Sequence, residues 1–288
     1  MKIHAYRVIQ TGPVTLSQVL QEIHGLPLDQ RLRDVSGTPL RVEESVPGGS
    51  TWAVDFAAIK HEGPGRASID APIEDFDLED EEGFGHETAM YYDSASGFLT
   101  LQYNHYGPRV ARIQTYLYYF ARRLAGEGLD PTQYGFGLAP VLKADAADRL
   151  NHMGIVKNIE ISFYVPGVMA QPNETRQSLS SFLDNPLVGS ADRIRIQLAA
   201  GRARAGSLAV NHVRQIVSDL INARDDLEAL KITAQETEDA PKEPVDLLEA
   251  RLEADIPVAK VGRRFGRQER WSALRQAFET WNTNGHFV

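Results

Sequence analysis

Apolar and polar residues recur along the chain at spacings that predict an ordered series of strands and helices. Residues 2–10 alternate loosely between the two classes, which predicts a first strand. Thr15 and Gln18 have the spacing of a capping box, in which each residue bonds the backbone of the other. This pair predicts a short helix that ends near His24.

Two hairpins are predicted in the segment that follows. Strands at 40–46 and 51–60 flank the turn-forming sequence Pro-Gly-Gly-Ser at 47–50. A second pair, at 87–93 and 97–104, flanks a short Ser-Ala-Ser sequence. Consecutive hairpins of this kind favour an antiparallel sheet in the first half of the chain.

The clearest helix begins just after Pro108 and ends at the glycines 126 and 128. Five apolar residues lie at helical spacing and form one stripe over more than three turns: Val110, Ile113, Leu117, Phe120 and Leu124. A helix with one such stripe packs that face against a sheet.

The second half repeats a strand, helix, strand order twice. The first unit comprises 134–142, 144–153 and 156–165, and the second comprises 192–198, 207–222 and 227–233. Strict alternation over 248–258 predicts a long strand with one solvent-facing side. A final helix is predicted from about Gln268, with Trp271, Leu274, Phe278 and Trp281 on its apolar face.

These elements predict an α+β fold with mixed, mostly antiparallel sheets and helices packed on one face. We expect two halves. Residues 1–128 form an N-terminal α+β half that carries an acidic loop at 74–82. Residues 129–288 form a C-terminal α+β half with the two strand-helix-strand units and the final amphipathic helix.

Composition excludes several classes of protein. The 288 residues include no Cys, so disulfides, thiolate metal sites and Cys nucleophiles are absent. No apolar run reaches the roughly 18 residues that a membrane span needs, and the N-terminal sequence lacks the apolar region of a secretory signal. We therefore expect a cytoplasmic protein without a membrane contact.

Charge is distributed unevenly along a chain whose net charge is −9. Seven of the nine residues at 74–82 are carboxylates, and a block of this density favours a solvated, flexible loop. In contrast, residues 94–126 contain four Arg and no Asp or Glu, and residues 260–275 contain six cations and one Glu. These two basic segments are the candidate surfaces for an anionic ligand.

The central hypothesis is a non-catalytic protein that binds single-stranded DNA or RNA, or a nucleoprotein complex. Arginine binds phosphate and tyrosine stacks on bases, and both lie on one side of the helix after Pro108. The predicted nucleic-acid-binding residues are Arg109, Arg112, Tyr116, Tyr119 and Arg123 on this helix, and Arg263, Arg264, Arg267 and Arg270 in the second basic segment. The alternative interpretation is a helix flank that packs on the sheet, with its tyrosines in the core.

Two other functions stay open. Glu249, Glu253 and Asp255 share one side of the predicted strand at 248–258, as a metal-dependent nuclease would require, although Arg251 among them favours ion pairing. Alternatively, the acidic loop 74–82 binds a protein partner, and exposed tyrosines form a homo-oligomer interface. The sequence contains no complete catalytic motif, so we assign no catalytic residue, metal or cofactor.

The order of motifs around the second hairpin resembles a known group of proteins. The sequence Glu-Thr-Ala-Met-Tyr-Tyr lies at 87–92, Leu-Thr-Leu-Gln-Tyr-Asn-His-Tyr-Gly lies at 99–107, and an amphipathic helix follows. This order resembles poorly characterised bacterial α+β proteins that are encoded on mobile elements and near phage-defence genes. The resemblance implies an antiviral-defence or mobile-element setting, and it carries no catalytic residues.

Overall fold

The computed structural model describes residues 1–70, 72–79, 82–126, 135–164, 193–201, 203–220, 227–262 and 264–287. The strands in chain order are β1 (Lys2–Gln10), β2 (Arg33–Val35), β3 (Thr38–Gly48), β4 (Thr51–Lys60), β5 (Phe84–Asp93), β6 (Phe98–Gln102), β7 (Phe136–Pro140), β8 (Ile155–Tyr164), β9 (Arg193–Ala199), β10 (Leu227–Gln235), β11 (Glu243–Asp246), β12 (Glu253–Asp255), β13 (Lys260–Val261) and β14 (Arg264–Phe265). The helices are α1 (Leu16–His24), α2 (Val110–Ala125), α3 (Ala144–His152), α4 (Val210–Leu220) and α5 (Arg267–Thr283), with a 3-10 helix at Leu28–Arg31. The predicted α+β class is confirmed.

The chain divides into two compact units that are not consecutive in sequence. Unit 1 consists of Met1–Ile3, Gln10–Gly137 and Asp255–Phe278, and unit 2 consists of His4–Ile9, Leu138–Ala254 and Glu279–Val288. The predicted boundary between residues 128 and 129 lies outside the described residues. Part of the C-terminal helix α5 thus belongs to the same unit as the first two hairpins.

The early elements form as their local patterns predict. Thr15 and Gln18 form both bonds of the capping box at the start of α1. The hairpin of β3 and β4 is paired as far as Gly48 and Thr51, so the turn is two residues shorter than the predicted break. Gly49 supplies the positive φ of 71° that this tight turn needs.

The sheet of unit 1 is antiparallel and has the order β6-β5-β4-β3-β2 over these five strands. Successive residues of a strand point to opposite faces, so Phe56 and Asp55 of β4 face different layers. The Phe56 ring contacts Tyr116 of α2 at a centroid distance of 6.0 Å. Asp55 contacts Arg270 of α5.

Unit 1 therefore has helices on both faces of its sheet, whereas the sequence suggested helices on one face. The physical reason lies in the central strands. All five residues of β6 are buried, and β4 is apolar on both sides along most of its length. Strands that bury both faces need a covering layer on each side.

The sheet of unit 2 has the order β11-β10-β8-β9, and each of its ladders is antiparallel. Apolar residues of α3 and α4, among them Ala146, Val213 and Val217, pack with strand residues such as Ile159 and Ile232 in one core. Where the chain is described, its strands and helices follow the order predicted for the two strand-helix-strand units, although β7 does not belong to this sheet.

The long strand predicted at 248–258 was wrong. The described chain has a turn over 247–249, an isolated bridge between Leu142 and Arg251, and the short strand β12. The neighbours Ala250, Arg251 and Leu252 are all buried. In a strand with one solvent-facing side, consecutive residues point alternately to the core and to solvent. Three consecutive buried residues therefore show that this segment is not such a strand, despite its alternating sequence.

No helix in the described ranges is both long and apolar enough to cross a membrane.

Candidate nucleic-acid interface

Helix α2 carries the first group of predicted site residues, and its buried stripe orients the others. Four residues of this stripe are buried inside unit 1, as predicted: Val110, Ile113, Leu117 and Phe120. The fifth, Leu124, is 41% exposed. The stripe fixes which way each remaining side chain of the helix points, because neighbouring positions are rotated by about 100°.

Tyr116 lies in the core and not on the predicted solvent-facing stripe. Its hydroxyl donates to the carbonyl of Arg31 at 2.8 Å and accepts the N–H of Val42 at 3.1 Å. Burial raises the pKa of Tyr116 to about 12, so the phenol stays protonated. Tyr116 joins α2 to β3 and to the 3-10 helix, and it is not available to stack on a base.

Arg112 and Tyr119 remain at the surface, beside a segment that the sequence did not implicate. Arg112 donates from Nη1 to the hydroxyl of Thr38 at 3.0 Å. The Tyr119 hydroxyl donates to the carbonyl of Asp34 at 3.3 Å, and its residue is 49% exposed. Arg33 lies 4.6 Å from the centroid of the Phe120 ring. These contacts hold the guanidinium and phenol groups against the solvent side of α2.

Arg123 differs from Arg112 because a carboxylate neutralises it. Its guanidinium forms an ion pair with Glu22 of α1. Both side chains are partly exposed, so water screens this pair and its contribution to stability is small. We call Arg33, Arg112, Tyr119 and Arg123 the α2 arginine surface.

The charges around this surface are mostly positive. Residues 22–38 and helix α2 together contain five arginines and three carboxylates. Arg33 donates to the carbonyls of Gln30 and Leu32 at 2.9 and 2.6 Å. Neither Arg33 nor Arg112 forms an ion pair with another described residue. The region is therefore locally cationic in a chain whose net charge is −9.

A group of rings adjoins the start of α2. Arg109 is the N-cap residue and makes no side-chain cap bond to the helix. Its guanidinium lies 5.1 Å from the centroid of the Tyr103 ring, and its Nη2 is 3.2 Å from Nδ1 of His105. Tyr106, the next ring, is 64% exposed. Arg109 therefore belongs to this group of rings, at the opposite end of α2 from Arg123.

The second predicted basic surface is neutralised by acids. Arg270 is 3% exposed and donates to Asp55 at 2.5 Å and to Glu87 at 2.7 Å. Arg267 donates to Asp55 at 2.8 Å. Arg264 lies 3.7 Å from the Glu87 carboxylate, and Arg263 lies outside the described residues. Arg267 and Arg270 attach α5 to the sheet of unit 1, because the strands contribute carboxylates to the face that α5 covers.

The pKa values of this network reflect burial and pairing together. Burial raises the pKa of Asp55, and the charges and hydrogen bonds of Arg270 and Arg267 offset that effect only in part. Burial also raises the pKa of Glu87. Pairing with Arg270, supported by the charge of Arg264, outweighs burial and holds this pKa below its ordinary value. Arg270 stays charged, because pairing with Glu87 and Asp55 outweighs its burial and raises its pKa.

The carboxylates considered for a metal-dependent nuclease do not share one strand. Glu249 lies in the turn over 247–249, whereas Glu253 and Asp255 lie on β12. Glu253 is 3.4 Å from Nε2 of His4. Among the residues with described positions, no group of three or more His, Cys, Asp or Glu is arranged to hold a metal ion.

The acidic loop is exposed over its described part, and Asp80 and Glu81 lie outside the described residues. Glu74 and Arg66 exchange backbone hydrogen bonds of 2.6 and 3.0 Å within the long connection between β4 and β5. The apolar residue Ile73 is 73% exposed. The loop therefore presents both carboxylates and apolar side chains to solvent.

A cavity of about 360 Å³ lies in unit 2, between α3 and the strands β10 and β11. His152 and Asp148, one helical turn apart, line it with Nδ1 and Oδ1 at 3.0 Å. Both side chains are more than half exposed. Such a pair is a solvated helix contact, and we assign it no chemistry.

Sequence reasoning missed Arg33 and Asp55. Arg33 lies in a short edge strand without a periodic signal, so only the fold places it beside α2. Asp55 was detectable, because it is the one carboxylate in the otherwise apolar strand Thr51–Lys60. A buried carboxylate requires a cationic partner, which the arginines of residues 264–270 supply.

Together these features define an α+β protein with a cationic helix surface and a separate, internally paired arginine cluster. The chain belongs to DUF6731, a family of unknown function, which matches residues 7–261. This match covers the whole of the α2 arginine surface and ends before α5. No curated protein matches the chain.

Proposed function

We propose that this protein binds single-stranded nucleic acid, without catalysing a reaction, through the α2 arginine surface. The main supporting observation is that, among the residues whose structure is described, Arg33 and Arg112 donate only to neutral oxygens. No described carboxylate is in contact to cancel their positive charge, which supports its availability to phosphate. The half-exposed ring of Tyr119 lies beside them.

The dimensions of α2 suit a short stretch of one strand. Arg112 and Arg123 are eleven residues apart, which is about 16 Å along a helix axis. Stacked nucleotides rise by roughly 3.4 Å each along a strand, so this length corresponds to about five nucleotides. Phosphate contacts would set position and affinity, and Tyr119 would contact a base or sugar.

The direct test is anisotropy of labelled 12-nucleotide DNA and RNA across a salt series. For single strands, log K falls with log salt by about 0.7 for each phosphate contact. The double variant Arg33→Gln with Arg112→Gln is expected to weaken binding and to reduce this slope by about 1.4. Arg275→Gln, on an exposed position of α5, is the matched control because it removes the same kind of charge elsewhere in unit 1.

Two results would refute the proposal. One is the absence of binding at low salt. The other is an equal loss of affinity in the Arg275→Gln control and in single variants of the α2 arginine surface, because this would indicate a general effect of net charge. The expected setting in antiviral defence or on a mobile element stays a prediction.

A second candidate function is docking on a basic protein partner through the loop 74–82. The supporting observation is the exposure of Ile73, Phe76 and Leu78 between carboxylates, since exposed apolar groups mark interaction surfaces. We expect the variant Phe76→Ser with Leu78→Ser to lose partners that co-purify with the wild type from its own cells. An unchanged set of proteins would argue against this role, and light scattering would report a homo-oligomer.

A further inference from the structure

The most exposed ring near α2 is held in a fixed stack. Tyr106 lies over His86 with a centroid distance of 5.9 Å and an interplanar angle of 28°. His105 meets the same ring edge-on, at 5.2 Å and 88°. Even so, Tyr106 remains 64% exposed. An aromatic ring that stacks on another ring, yet stays largely open to solvent, has the geometry of a stacking platform.

The loop beneath this ring is rigidly attached to β5. Asn104 donates to the carbonyl of Glu87 at 2.7 Å, and it accepts the backbone N–H of Tyr106 at 3.2 Å. Gly107 packs so closely on the strand that a Cβ there would lie 2.5 Å from the hydroxyl oxygen of Thr88. The platform is therefore ordered before any ligand binds, which lowers the entropy lost on binding.

Hydrogen-bond donors lie next to the platform. A guanidinium only donates hydrogen bonds, so the contact of Arg109 with His105 requires Nδ1 of His105 to be unprotonated. In the tautomer that fits this contact, the ring proton lies on Nε2, which makes Nε2 a second donor. Burial, with the charge of Lys60, holds the pKa of His86, the ring under Tyr106, below its ordinary value.

We propose that Tyr106, His105 and Arg109 form a subsite for an unpaired nucleobase and its phosphate. The base stacks on the open face of Tyr106, and the two donors bind the phosphate or the base edge. This inference deepens the proposed function. It rests on that function when the base is part of a single-stranded nucleic acid. A free nucleotide offers the same chemistry, whereas a base inside a duplex has no free face for the ring.

The experiment uses the full chain and three probes: a labelled 12-nucleotide oligo(dA), the duplex of the same length, and 5′-AMP measured by calorimetry. Tyr106→Leu removes the ring, and Tyr106→Phe retains it. Phe265→Leu is the matched control, because it removes another partly exposed ring of unit 1 that belongs to neither proposed surface. Circular dichroism checks that each variant is folded.

We expect Tyr106→Leu to weaken single-strand binding by about 5- to 150-fold, the range measured for loss of one base stack. Tyr106→Phe and Phe265→Leu are expected to stay close to wild type, and duplex binding is expected to be equal in all four proteins. Loss of 5′-AMP binding in Tyr106→Leu alone would also support the subsite.

The outcomes separate this inference from the proposed function. If Tyr106→Leu leaves single-strand binding unchanged while the Arg33 and Arg112 variant weakens it, the subsite is overturned and the α2 arginine surface stands. If oligonucleotides do not bind but 5′-AMP binds through Tyr106, the subsite stands as a nucleotide site and the proposed function fails. If no probe binds, both are overturned.

Discussion

Replacing Asp55 with alanine removes the carboxylate that Arg267 and Arg270 share beneath α5. Asp55 is fully buried and Arg270 is 3% exposed. Removal of one partner of a buried ion pair costs about 3–5 kcal/mol, because the remaining charge is buried without compensation. Arg270 retains Glu87 at 2.7 Å, so we expect the lower end, about 3 kcal/mol.

Urea unfolding followed by tryptophan fluorescence measures this change, because Trp52 on β4 and Trp271 on α5 are both buried. For a chain of this size, about 3 kcal/mol corresponds to a melting temperature lower by roughly 6–12 °C. Glu269→Ala is the matched control, since it removes an exposed carboxylate from α5, the helix that Asp55 contacts. We expect that variant to unfold within about 0.5 kcal/mol of wild type.

A double-mutant cycle tests the mechanism behind this number. Asp55→Ala with Arg270→Ala is expected to cost less than the sum of the two single variants, because the residues are in direct contact. If Asp55→Ala unfolds within about 1 kcal/mol of wild type, or if the two effects add, the reasoning on the buried network is refuted.

Three further predictions concern the same unit. Tyr116→Phe leaves the Val42 N–H without its acceptor, so urea unfolding should show a loss of about 1–3 kcal/mol, while oligonucleotide affinity stays unchanged; weaker binding by the folded variant would contradict the structural role. Thr15→Ala removes the helix cap and is expected to cost about 1 kcal/mol in the same assay; no loss would contradict the capping box. Glu87 has a pKa below its ordinary 4.5, so its charged form stabilises the fold above that pH and this advantage is lost as pH falls through the lowered value. The stability difference between wild type and Glu87→Gln should shrink over this acid range, and a difference independent of pH would contradict the pairing.

Local patterns in the sequence were sufficient for most elements of the fold. Helical spacing located α2 and the apolar face of α5, and turn residues located the hairpin of β3 and β4. Each of these signals comes from residues within a few positions of one another. The prediction for 248–258 was wrong because alternation alone does not report that Ala250, Arg251 and Leu252 are all buried.

The candidate site was predictable only in part. The sequence by itself determined that arginines and tyrosines recur on one side of α2, since helical spacing sets that arrangement. The tertiary structure decided which of them meet solvent: Tyr116 is in the core, Arg112 is half-buried and Tyr119 is exposed. It also decided which charges are cancelled, because Arg270 and Asp55 lie 215 positions apart along the chain. Whether a charge is available to a ligand depends on its nearest carboxylate in space, and that distance is set by the packing of strands and helices.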